Sequence, residues 1–108
     1  MKKYSVQFDL SAEDDLVEIY KYVATNESME RADKLYSLLK KACKGFALFA
    51  LRGHIPPELL EVGVVEYREI HYKPYRIFYS VEKKMVNVHC VLDGRRDIET
   101  ILQERSLR

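Results

Sequence analysis

The chain has 108 residues, 47% apolar and 32% charged, with a formal net charge of +1. That length and balance fit one folded domain over residues 1–108 and exclude a disordered chain. No apolar run is long enough to cross a membrane as a helix, and a near-neutral total excludes a protein that holds nucleic acid by bulk charge.

The opening MKKYSVQFDL alternates, with Tyr4, Val6, Phe8 and Leu10 on one side and Lys3, Ser5, Gln7 and Asp9 on the other. This predicts a half-buried strand over 3–10. The segment has no signal-peptide apolar region, so a cytoplasmic location is expected. Ser11 followed by Glu13, Asp14 and Asp15 reads as a capped helix start. The helix then carries an apolar stripe of Ala12, Leu16, Ile19, Tyr20 and Val23. After TNES, Ser28 caps a second helix with the stripe Ala32, Leu35, Leu39, Ala42, Phe46 and Phe49, which makes a helical hairpin. Gly45 falls inside that stripe and weakens its last turn.

From Arg52 to Gly63, glycines and prolines break regular structure, apart from one helical turn at PELLE with Pro57 leading it. Strands follow over 64–72, 75–81 and 85–93, with tight turns at Lys73-Pro74 and EKK. The tail offers a short helix with Ile98, Ile101 and Leu102 on one edge. The order is β-α-α-β-β-β(-α), an α+β fold with an antiparallel sheet and the hairpin packed on one face. Cys43 and Cys90 sit among apolar neighbours and are expected reduced and buried. No four ligands converge for a structural zinc, so no metal or organic cofactor is expected.

The two-residue turn sets a register in which Tyr72 faces Tyr75 and Ile70 faces Ile77. Pairing Val81 with Val86 then sets Phe78 against His89 and Ile77 against Cys90. Alternation puts Ile70, Tyr75, Ile77, Tyr79, Val86, Val88, Cys90 and Leu92 under the hairpin. The other face receives Tyr67, Glu69, His71, Arg76, Phe78, Ser80, His89, Val91 and Asp93. It is either a solvated sheet face or a platform on which Arg76 and Arg95 or Arg96 hold phosphate. On such a platform His71, His89 or Glu69 would move protons. Between Arg68 and Arg96, seven cations stand against three acids, a local charge of +4.

The hairpin SAEDDLVEIYKYV…ERADKLYSLLKKA and the run EYREIHYKPYRIFYSVEKKMVNVHCVLDGRRDIETIL resemble the RelE/ParE superfamily of type II toxin–antitoxin toxins over nearly the whole chain. The resemblance implies a cognate antitoxin that neutralises the protein. It implies one of two targets: the ribosome and its mRNA, cleaved as by RelE-like interferases, or DNA gyrase, poisoned as by ParE-like members. We expect the first, with the second as the alternative. In RelE-like members an arginine of the YR strand and a basic residue of the G-(R/K)-R turn contact the scissile phosphate. Those roles fall on Arg76 and Arg96, with Arg95 adjacent. Such nucleases also carry a tyrosine or histidine near the C-terminus. IETILQERSLR has neither, so His71 or His89 would have to substitute.

Overall fold

The computed structural model describes residues 3–107 and orders them as strand β1 (Ser5–Phe8), helices α1 (Leu10–Asn26) and α2 (Met29–Lys44), the one-turn helix α3 (Pro57–Leu60), strands β2 (Tyr67–Tyr72), β3 (Tyr75–Glu82) and β4 (Met85–Asp93), and helix α4 (Ile98–Glu104). The sheet order is β1-β4-β3-β2. The three later strands form the expected antiparallel meander. β1 instead pairs parallel to β4, from Ser5↔Met85 to Phe8↔Val88, so the sheet is mixed rather than wholly antiparallel. A parallel partner requires a long crossover, and the α1–α2 hairpin supplies it.

The helix ends follow local chemistry. Ser28 caps α2 by accepting from the Arg31 amide at 3.1 Å. Ser11 does not cap α1. The cap is Asp9, and the Ser11 hydroxyl donates to the His89 carbonyl at 3.1 Å. α2 stops at Lys44, where Gly45–Ala47 tighten into a 3₁₀ turn. That change of pitch breaks the helical stripe, keeping Phe46 buried but leaving Phe49 60% exposed. The hairpin face packs Ala12, Leu16, Leu39, Cys43 and Phe46 onto Ile77, Tyr79, Val86, Val88 and Val91.

The β2–β3 register is the one the turn dictates, from Tyr72↔Tyr75 through Arg68↔Tyr79. The β3–β4 register is not. Val81↔Val86, Ser80↔Asn87 and Tyr79↔Val88 pair as expected, but Phe78 then pairs with Cys90 and Ile77 with Val91. His89 is the extra residue of a β-bulge. Beyond it the inside–outside alternation resumes out of phase. Val91 therefore turns under the hairpin. Cys90 and Leu92, expected there, turn to the opposite face.

That opposite face is not an open polar platform. Phe78, Cys90 and Leu92 form a second core there with Leu59 of α3 and with Ile98, Ile101, Leu102 and Leu107 of the tail. The apolar edge of α4 thus caps the far side of the sheet, with Asp97 holding its start by accepting from the Thr100 amide. Asp15, 7% exposed, stitches the layers. It accepts from the Val91 amide at 2.9 Å and from both Arg105 Nη atoms at 2.6 and 2.7 Å.

Candidate functional site

Glu69 and His71 are two apart on β2, and Arg76 lies opposite His71 on β3, so all three side chains leave the sheet on the face away from the hairpin. Glu69 is fully buried. Arg76 grips it with Nε on Oε1 at 2.6 Å and Nη2 on Oε2 at 2.7 Å. Its outer edge meets a second carboxylate. Nη1 and Nη2 donate to Glu58 Oε2 and Oε1, each at 2.8 Å. The Arg76 hydrogen bonds hold the Glu58 carboxyl below the usual carboxylate range, and both carboxylates push the guanidinium up. One cation between two anions leaves the cluster at −1.

Two imidazoles complete it. His71 Nε2 lies 3.2 Å from Glu69 Oε1 and His54 Nε2 lies 3.1 Å from Glu69 Oε2. His54 comes from the loop before α3. That loop is tied to β2 by the pair His54 N–H to Glu69 O at 3.1 Å and Glu69 N–H to His54 O at 2.7 Å. Gly53 makes the approach possible: a Cβ there would stand 2.6 Å from both the Glu69 carbonyl oxygen and the Tyr79 hydroxyl.

His89 stands in a separate group. Its Nδ1 meets Asp9 Oδ2 at 2.5 Å and its Nε2 meets Ser80 Oγ at 2.7 Å. The order hydroxyl, imidazole, carboxylate is that of an activated nucleophile. Here the backbone around Ser80 is committed on both sides, pairing with Tyr67 and Asn87. Those amides serve the sheet ladder and not an oxyanion. The group ties the Asp9 cap of α1 to β3 and β4 at the bulge.

Arg95 and Arg96 lie elsewhere again. Because Asp93 faces the hairpin side after the bulge, the turn carries both arginines toward the groove between the hairpin and the end of the sheet. Asp93 accepts from the Arg95 amide and Nε at 2.9 Å and from Nη2 at 2.6 Å. These bonds hold the Asp93 carboxyl below its usual range. Asp97, next in the chain after Arg96, caps α4. The groove has a volume of about 1130 Å³ and is lined by Glu18, Ile19, Tyr22, Glu27, Arg31, Lys34, Leu35, Arg95 and Arg96 among others.

The six residues singled out from the sequence thus divide among three places: Glu69, His71 and Arg76; His89; and Arg95 with Arg96. His54 and Glu58 were missed. Pro57 at the head of a helical turn marks Glu58 as a first-turn acid, but nothing local says that it reaches Arg76. His54 depends on a long-range backbone pair.

Among the described residues, no helix is long and apolar enough to cross a membrane. Residues 6–98 match the family model of the ParE toxin of the type II toxin–antitoxin system parDE. A solved structure titled as the chromosomal ParDE toxin–antitoxin system from P. aeruginosa is similar at 20% identity and a TM-score of 0.69. The match covers 82% of this chain and 94% of that one. No curated protein matches. The mRNA cleavage expected first from the resemblance finds no support in these matches, which lie on the ParE side of the superfamily. With the family model covering most of its length, the chain belongs to the ParE toxin family of type II toxin–antitoxin systems.

Proposed function

We propose that the protein is a ParE-like toxin that inhibits DNA gyrase in the cytoplasm by binding it, without nuclease chemistry, and is neutralised by a cognate antitoxin. The observation that carries the reading is the state of Arg76. Its side chain is 14% exposed, and all its donated bonds go to Glu58 and Glu69. A guanidinium already occupied by two carboxylates is not available to stabilise the transition state of a phosphate. The tail without tyrosine or histidine agrees. The surface suits binding instead. Val17, Tyr22 and Met29 on the hairpin and Phe49, Leu51, Leu60, Val62 and Val65 in the 48–65 segment are large apolar side chains between 44% and 67% exposed. The mixed-charge groove beside Tyr22, Arg95 and Arg96 fits an antitoxin segment that is itself part apolar and part charged.

Purified protein should block supercoiling by gyrase or trap cleaved DNA, and co-purified antitoxin should reverse it. The same protein should leave translated mRNA intact in primer extension on ribosomes. Cleavage at the ribosomal A site with unaltered gyrase would reverse the assignment.

A further inference from the structure

His54, Glu69 and His71 are brought together by the backbone rather than by chance contact. Glu69 and His71 share a face of β2 through the two-residue period of a strand. His54 exchanges both backbone hydrogen bonds with Glu69 across the isolated bridge, which points their side chains the same way. The His54 and His71 Nε2 atoms lie 3.1 and 3.2 Å from the two Glu69 oxygens, and three donor atoms, one from each residue, fall within 4.8 Å of one another. Ligands about 2.0–2.1 Å from a tetrahedral zinc ion are separated by about 3.3 Å. Small side-chain adjustments therefore suffice to place one ion between these atoms.

The surroundings agree. A carboxylate has about four acceptor sites. Arg76 holds the two Glu69 oxygens from one side and leaves the histidine side available, as an outer partner does when it orients a ligating carboxylate. Two carboxylates, Glu58 and Glu69, stand here against Arg76, with Lys73 at the rim. Glu69 is buried, while the histidine side chains are 57% and 49% exposed beside a small cavity of about 360 Å³, so the ion has a route from solvent. Two imidazoles and one carboxylate select borderline cations and not Mg²⁺ or Ca²⁺, which prefer oxygen donors.

We propose that His54, Glu69 and His71 form a site for one divalent cation of the zinc class, with three protein ligands and a fourth position open to solvent.

The test uses untagged full-length protein, because a polyhistidine tag would bind the probe. Calorimetric titration with ZnCl₂ should give one equivalent per chain, and the melting temperature should rise with ZnCl₂ but not with MgCl₂. His54→Ala and His71→Ala, both at exposed positions, should keep the circular dichroism of the parent and weaken Zn²⁺ binding by about tenfold or more. Lys73→Ala should tighten it. Zn²⁺ binding unchanged in His54→Ala and His71→Ala, an equal response to Mg²⁺, or no saturable heat would each overturn the site.

Discussion

Arg76→Ala separates a structural arginine from one that meets a ligand. The substitution removes four hydrogen bonds and, among the described residues, the only guanidinium holding Glu69, which is fully buried. Breaking a buried ion pair by deleting one partner costs about 3–5 kcal/mol, because a charge is left without compensation. Two features reduce that here. His54 and His71 still touch Glu69, and Glu58, with its side chain 25% exposed, can turn to water. The expected loss is about 2–4 kcal/mol. In a domain of this size it appears as a fall of roughly 8–16 °C in melting temperature. Urea unfolding followed by circular dichroism measures it directly, provided the slope of the transition matches the parent. The double variant Glu69→Leu, Arg76→Met is the companion measurement. It removes both charges while keeping bulk, and should sit within about 1.5 kcal/mol of the parent. If Arg76→Ala unfolds within about 0.5 kcal/mol of the parent, the clamp does not hold the fold. Arg76 would then be free to meet an anion, and the argument against phosphate chemistry would lose its main support.

Three further outcomes follow from the same geometry. Arg105→Met leaves Asp15 buried with, among the described residues, the Val91 amide as its one donor, and should cost about 2–4 kcal/mol in urea unfolding. Burial pushes the Cys43 thiol up to about 12 and the Cys90 thiol up to about 11, so a disulfide reagent at neutral pH should react with neither until denaturant is added. The Glu58 carboxyl is held low by Arg76, so its contribution is present above the ordinary carboxylate range and is lost as pH falls through its depressed folded value. Stability measured from pH 6 down to pH 3 should therefore fall less steeply in Glu58→Gln than in the parent.

Period and turn chemistry made most of the fold legible. The helices were readable from their stripes, and the β2–β3 register from a two-residue turn that admits one pairing. The parallel partner of β1 was not readable, because an edge strand of four residues carries no local sign of its neighbour's direction. Nor was the bulge. In VNVHCVLD the apolar residues alternate up to Val88 and then run together as Cys90, Val91 and Leu92, so either phase satisfies the pattern. The second core decides between them. Ile98, Ile101 and Leu102 need an apolar surface to cover, and only the bulged register presents Cys90 and Leu92 to them.

The same inserted residue reorganises the candidate site. Under unbroken alternation Asp93 and the turn after it would face the side bearing Arg76, and the three arginines would make one cationic surface fit for phosphate. With His89 inserted, Asp93 faces the hairpin and takes Arg95 with it, while Leu92 is set beside Arg76 as part of the second core. Arg76 is left with acids for company: Glu69 below and Glu58 above. The cationic side chains that the sequence gathers in one stretch are thus divided into an acid-bound Arg76 on one side of the sheet and an accessible arginine pair in a groove on the other. A surface that grips a protein partner can use the second. A phosphodiester transition state would need both at once.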